Sequence, residues 1–304
     1  MRRSSPWPAR LIQALAGVAL AAAVTWLVGN TLDNMRSRGI QSGFDFLLEP
    51  AGFDIGESWI EHAPEAPFWR AFVAGLLNTL RVALPAMGLA TLLGLGVAIG
   101  RIGPHPLARA LCSAYTETLR NIPLLIQLLT WYVLLIEWMP DVDSPWQLGD
   151  AWQWSKAGLT LRWGESSLAL SPEYLALSLG LTLYTSAFIA EVFRGGIGSV
   201  PRAQTLAAQS LGLSRLQTLR HVVVPQALRV SVPPLSSQYL NLTKNSSLAV
   251  AIGYPDLVSI ANTALNQTGR AVECIAIIMA IYLGLSLLTA WVMNRYNQRV
   301  MQHG

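Results

Sequence analysis

Residues 199–225 read SVPRAQTLAAQSLGLSRLQTLRHVVVP and stand between two long apolar runs. Ser199 is placed to cap a helix with Pro201 in its first turn, since a cap hydroxyl takes one orphan N–H and proline lacks a donor that the first turn leaves idle. Ala203, Leu206, Ala207, Ser210 and Leu211 recur at i, i+3 and i+4, which is one face of a helix. Gly212 then sits where a left-handed residue ends such a helix. Ser214-Arg215-Leu216-Gln217 is a Ser-x-x-Gln capping box, and the short helix it opens must stop before Pro225, because a proline disfavours α geometry in the residue ahead of it. Both helices are shorter than the roughly 12–15 residues at which isolated helices become marginal. The pair needs a surface to pack on, either its own bundle or another subunit.

The flanking sequence is that of a membrane protein. Of 304 residues, 52% are hydrophobic and 12% charged, with a mean hydropathy of +0.40, whereas soluble domains carry about 25% charged residues. The net charge of +4 does not point to nucleic acid, because the basic residues are dispersed between apolar runs. Six stretches reach the roughly 20 apolar residues of a spanning helix: 10–30, 70–100, 108–137, 172–195, 227–252 and 273–294. The sequence therefore predicts an all-α polytopic membrane protein of about six transmembrane helices. Residues 1–30, with Arg2 and Arg3 ahead of an apolar run from Leu11 to Gly29, are predicted to be an uncleaved anchor, since that run exceeds the roughly 7–15 residues of a cleaved signal. A loop at 31–69, a transmembrane domain at 70–295 and a tail at 296–304 complete the division.

Charge sets the orientation. With the N-terminus inside, the inner segments hold Arg2, Arg3, Arg10, Arg101, Arg109, Arg194, Arg202, Arg215, Arg220, Arg229, Arg295 and Arg299. The outer ones hold Arg36, Arg38, Lys156, Arg162 and Arg270. That imbalance satisfies the positive-inside rule and predicts both termini, and the 199–225 elbow, on the cytoplasmic side. The outer segments carry most of the acids, including Asp45, Asp54, Glu57, Asp141 and Glu165. The outer segment 138–171 carries Trp138, Trp146, Trp152, Trp154 and Trp163, and its 159–170 portion alternates as a small hairpin would. Tryptophans near a span end suit an interfacial belt or a docking surface for a partner outside the membrane.

Chemistry on the substrate is not indicated. Cys112 and Cys274 lie in apolar runs without CxxC spacing, so neither a disulfide framework nor a zinc site follows. The two lysines, Lys156 and Lys244, do not follow glycine, so the chain has no P-loop. His62, His105, His221 and His303 are scattered, and no metal or hydrolase constellation can be built from them.

The run Gln204-Thr205-Leu206-Ala207-Ala208-Gln209-Ser210-Leu211-Gly212, followed by Val222-Val223-Val224-Pro225, resembles the EAA loop of ABC importer permeases, EAA-x3-G-x9-I-x-L-P. The alanine pair, the glycine and the proline are in register; Leu206 stands where the family has Glu, which puts one charged contact in doubt. Asn78-Thr79-Leu80, Tyr115 to Gln127 and Pro225-Gln226-Ala227-Leu228-Arg229 are similar to the polar amino-acid branch of these permeases. The stretches 38–46 and 244–258 resemble the general L-amino-acid permeases of Gram-negative bacteria. Some of those relatives are longer between the third and fourth spans, which makes this chain a compact form. The resemblance implies the type-I importer permease fold, with coupling helices at 199–225 that dock an ATPase subunit through Gln204, Leu206, Ala207, Ala208, Gly212 and Pro225. It also implies two ATPase subunits that carry ATP and magnesium, a second and related permease in a heterodimer, and a periplasmic amino-acid-binding protein. No cofactor is expected on this chain.

Polar groups within spans are costly and mark either a pathway or a buried pair. Arg81, Arg120, Asn121 and Gln127 qualify, as do Asn241, Lys244 and Asn245 beyond the expected break at Pro233-Pro234. A zwitterionic amino acid needs a cation for its carboxylate and an acceptor for its ammonium, which Arg120 with Asn121, and Lys244 with Asn245, supply. For Arg81 and Arg120 the alternative is snorkelling or pairing with Glu117. Two other classes remain. A membrane enzyme would need a nucleophile, base or metal cluster at the inner face, where the chain offers mostly arginine. A secondary carrier or channel would need a coupling acid in mid-span, for which Glu117 and Glu191 are the candidates.

Overall fold

The structure is a computed structural model and describes residues 7–37, 39, 42–164 and 166–302. Arg2, Arg3, Arg38, Glu165 and His303, with Ile40 and Gln41 of the 38–46 stretch, lie outside the described residues. The helices in chain order are α1 (Trp7–Ser37), α2 (Phe68–Ile102), α3 (Pro106–Asn121), α4 (Leu124–Trp138), α5 (Pro172–Gly198), α6 (Arg202–Ser210), α7 (Arg215–Thr218), α8 (Val224–Asn245), α9 (Leu257–Thr268) and α10 (Ala271–Gln302). Four strands, β1 (Trp146–Leu148), β2 (Trp152–Ser155), β3 (Gly158–Trp163) and β4 (Ser166–Leu170), separate α4 from α5. α1, α2, α5 and α10 are each long and apolar enough to cross a bilayer, and two bent pairs bring the number to six if each counts as one span.

α2 and α5 form the spine. A Cβ on Gly94 would lie 2.7 Å from Ile189 Cγ2 and 2.9 Å from the Ser186 carbonyl, so the missing side chain is what lets the two backbones meet. Gly196 does the same between α5 and α8, where a Cβ would come 2.8 Å from the Ala227 carbonyl. Ala90, Val97, Ala98, Ile189, Phe193 and Leu235 fill in around this contact.

Two expected spans are broken. The 108–137 stretch is not one rod: α3 and α4 meet at 108°. Pro123 has no N–H to donate and drives Ile122 to φ −94°, ψ 128°. Gln127 then closes the corner, its Nε2 donating to the carbonyls of Leu119 (2.8 Å) and Ile122 (2.9 Å). In the fifth stretch the Pro233-Pro234 pair does not break the helix, since α8 runs through both. The break comes later, in a 3-10 turn over Ser246–Ile252 that ends on Gly253 at φ 81°. Asp256 restarts the chain as α9, its Oδ1 accepting from the Ser259 N–H at 2.8 Å.

The segment between α4 and α5 is larger than a hairpin. β1 to β4 form an antiparallel meander in chain order, with Trp146 opposite Trp154, Trp152 opposite Leu161 and Leu161 opposite Leu168. Period-two alternation puts Trp146, Leu148, Trp152, Trp154, Leu159 and Leu161 on one face and Gln147, Gln153, Thr160 and Arg162 on the other.

Candidate functional site

The elbow connects α5 to α8 and is built by its caps. α6 ends in a Schellman motif, with the Gly212 N–H donating to Gln209 (2.9 Å) and the Leu213 N–H to Ala208 (3.2 Å), and Gly212 holds φ 83°. α7 opens on the expected capping box: Ser214 Oγ accepts from the Gln217 N–H and Gln217 Oε1 from the Ser214 N–H. Two expectations are corrected. Ser199 does not cap α6; it closes α5, its Oγ donating to the Gly196 carbonyl at 2.7 Å, and Pro201 stands at the cap of α6. Nor does the second helix stop before Pro225. A wide π turn over Leu219–Val223 carries α7 into α8, and Pro225 falls in the first turn of α8, directly after that turn.

The orientation of the elbow sets which of its side chains are exposed. The periodic stripe of Ala203, Leu206, Ala207, Ser210 and Leu211 is exposed throughout, and Ala208 is the residue of α6 that turns inward. Leu206 is 62%, Leu211 81% and Leu216 74% exposed. Gln204 braces the two limbs, its Oε1 accepting from Gln226 Nε2, which also donates to the Val222 carbonyl at 2.9 Å. The elbow is thus stiffened by its own polar groups and presents its leucines away from the bundle.

Along α5 and α8 lies the second feature, a groove in two contiguous parts. One of about 270 Å³ is lined by Tyr184, Thr185, Phe188, Gln238, Asn241 and Asn245. The other, about 340 Å³, shares Phe188 and Gln238 and adds Arg120, Glu191, Val230 and Pro234. Gln238, Asn241 and Asn245 follow at i, i+3 and i+7, one face of α8, and Tyr184 and Phe188 sit near the middle of α5. The α3–α4 corner delivers Arg120, whose guanidinium lies 5.1 Å from the centre of the Phe188 ring. The groove therefore offers a cation, three side-chain amides that both donate and accept, two aromatic faces suited to an ammonium, and the Val230 carbonyl, which Pro234 leaves without its helical donor.

Its one lining carboxylate is engaged. Glu191 Oε2 takes Arg101 Nη1 at 2.6 Å and Oε1 takes Arg194 Nε at 3.0 Å. An acid held by two guanidiniums is a latch between α2 and α5 rather than a free proton carrier.

The remaining candidates are placed elsewhere. Arg81 is buried well inside α2, paired with Glu57 at 2.6 Å, donating to the Ala169 carbonyl at 3.0 Å and stacked 5.0 Å from the Tyr174 ring. It binds the 42–67 segment and the meander to the helices, and its partner is not Glu117. Gln127 is buried in the corner. Asn121 and Lys244 are exposed but line neither part of the groove. Tyr184, Thr185, Phe188 and Gln238 escaped sequence reasoning; the signal available was the i, i+3, i+7 spacing of the α8 amides.

The family described as "Binding-protein-dependent transport system inner membrane component" matches residues 90–302. The chain belongs to this family. The permease is 39% identical to YhdX of Escherichia coli, a protein named provisionally as an amino-acid ABC transporter permease, over 95% of this chain and 93% of that one. It is 35% identical to the general L-amino acid transport system permease protein AapQ of Rhizobium johnstonii, over 95% of this chain and 91% of that one. The alignment with YhdX runs over 367 positions against 304 residues here, so that relative holds residues this permease lacks within the aligned stretch. Among solved structures, a crystal structure of an amino acid ABC transporter with histidines superposes with a TM-score of 0.62 at 28% identity, covering 76% of this chain and 95% of that one. The permease is a multi-pass membrane protein of the type-I importer fold.

Proposed function

We propose that this permease carries polar L-amino acids inward across the bacterial inner membrane by alternating access, driven by ATP hydrolysed on a partner chain. The observation that carries the reading is the outward stripe of the elbow. Leu206, Leu211 and Leu216 are exposed on a segment whose caps and Gln204–Gln226 brace keep it rigid, which is what a lever seated in another subunit requires. That subunit is the ABC ATPase, which holds ATP and magnesium; this chain needs no cofactor.

The elbow and both termini are cytoplasmic on this reading, supported by the excess of arginine in those segments. The family's description as binding-protein-dependent supports a periplasmic protein that delivers the amino acid. Because the groove opens on one side of a single chain, a second, related permease completes the path. Arg120 receives the carboxylate, the amides of Gln238, Asn241 and Asn245 orient the backbone groups, and Tyr184 and Phe188 meet the ammonium. The doubly paired Glu191 disfavours a proton-coupled carrier.

The test is co-purification from the native host in mild detergent, followed by ATPase assay with and without amino acids. An ATPase chain is expected to stay bound to the wild-type permease and to be lost from a Leu211→Asp, Leu216→Asp variant. Recovery of the permease alone, with transport in liposomes that needs no ATP, would overturn the reading.

A further inference from the structure

Behind the elbow, on its membrane side, a cleft of about 440 Å³ separates the end of α2, the start of α3 and α7. Ile99, Ile102, Ile197 and Leu219 form its walls, and Arg109 and Arg215 contribute its two charges. Among the described residues neither arginine is paired with a carboxylate. Arg109 Nη2 reaches the Gly103 carbonyl at 3.0 Å, while Glu191 is already taken by Arg101 and Arg194.

The depth of the cleft follows from the exposed flank of α2. Leu84, Leu89, Leu92, Leu95, Ile99 and Ile102 are all exposed. The helix that carries them is long and apolar enough to span a bilayer and ends at Ile102. Ile102 therefore marks the hydrocarbon boundary, and Arg109 and Arg215 stand at headgroup level. On α10 the exposed apolar residues run on through Trp291 and Val292 to Tyr296, with Arg295 5.6 Å from the Trp291 ring, the aromatic and basic pairing of an interface.

We propose that this cleft binds an anionic phospholipid, its phosphate held by Arg109 and Arg215 and the start of an acyl chain lying on Ile99, Ile102 and Ile197. The apolar wall gives an acyl chain a contact that a free anion would leave unfilled, and two guanidiniums without an acid among the described residues favour an anionic headgroup. The lipid would bridge α2 and the elbow, so that lipid composition sets how firmly the lever is seated. This rests on the reading that the elbow lies at the cytoplasmic face, where anionic lipids concentrate.

The assembly, purified in mild detergent, is washed with excess phosphatidylcholine, and retained phosphatidylglycerol and cardiolipin are quantified per permease. Arg109→Gln and Arg215→Gln are each expected to weaken retention about five-fold, and the double variant by their product, while Arg109→Lys with Arg215→Lys retains the lipid. Equal retention in all variants overturns the proposal, as does displacement of the lipid by millimolar inorganic phosphate. The ATPase subunit is scored in the same samples. Lipid lost with the ATPase retained supports the site; ATPase lost with lipid unchanged assigns Arg215 to the subunit contact and overturns it. Lipid retained by the arginines when the wild type binds no ATPase leaves the site standing and removes only the coupling role of the elbow.

Discussion

The two ends of the molecule are built on opposite plans. At the end with the meander, polar groups are spent on the chain itself: Arg81 pairs with Glu57, Asn78 Nδ2 donates to the carbonyls of Glu57 and Pro255 (2.7 and 2.9 Å), and Arg270 holds Asp45 Oδ2 at 2.9 Å and the Gly43 carbonyl at 2.9 Å. At the elbow end, apart from the Glu191 latch, the arginines stand without acids among the described residues, and Leu206, Leu211 and Leu216 stand without cover. A transporter needs this asymmetry. One end is locked into a frame, and the other is left incomplete so that a partner can complete it and move it.

The largest expected effect comes from breaking the frame. Arg81→Leu strands Glu57, whose side chain is 13% exposed, and losing one member of a buried pair costs about 3–5 kcal/mol. Thermal unfolding in detergent should fall accordingly, and Arg81→Leu with Glu57→Leu should recover most of it. If Arg81→Leu instead keeps its stability and loses only uptake, Arg81 belongs to the pathway after all.

Next is the groove. Arg120 is exposed and carries no ion pair among the described residues, so Arg120→Ala should leave unfolding unchanged. A hydrogen bond to a charged group is worth about 1.5–3 kcal/mol, which sets an uptake loss of about ten- to a hundred-fold. Normal uptake by correctly inserted protein would remove Arg120 from the path. Asn241→Leu should show a smaller loss in the same assay.

The elbow follows. Valine at Gly212 must adopt a left-handed backbone, at about 1–2 kcal/mol, although no atom stands within 4 Å of the added Cβ. The strain is local, so the unfolding of the bundle should hold while ATPase co-purification and uptake both fall. Gly212→Asn, which tolerates that conformation, should restore both. Survival of ATPase binding in the valine variant would count against the lever.

How much of this was legible depends on whether the signal was local. The capping box at Ser214 and the left-handed Gly212 could be read because their bonding partners lie within five residues. The corner at Ile122–Pro123 could not, because hydropathy records that a stretch is apolar and says nothing of its direction; Gln127, which closes that corner, looks the same as a pathway amide. Arg81 posed the same ambiguity. Its partner Glu57 comes from a segment without periodicity, so a buried pair and a cargo contact give one sequence signal. Tyr184 and Phe188 carry no local mark of a site until α8 and the α3–α4 corner are set beside them. The Trp146 and Trp154 strands were hidden because their pairing, unlike the alternation of 159–170, is visible only across two turns.

The smallest effect tests whether the locked end stays locked in acid. His62 is 8% exposed in the 42–67 segment, its ring centre 5.8 Å from that of Phe53. Burial holds its imidazole below the usual histidine range, helped by Arg70 and opposed by Asp54 and the Phe53 backbone. Such a ring is neutral when folded and takes a proton more readily when released. Between its folded value and the ordinary value of about 6.5 the unfolded chain binds the extra proton, so stability contributed by the neutral ring is intact above about pH 6.5 and declines as pH falls below it. Hydrogen exchange over 42–67 should therefore quicken between pH 7.5 and 5.5 once corrected for intrinsic rates, while α5 is unchanged. His62→Phe should remove the difference by keeping the packing without the titration. If the phenylalanine variant shows the same acid loosening, the change belongs to another group and the meander end is held by its ion pairs alone.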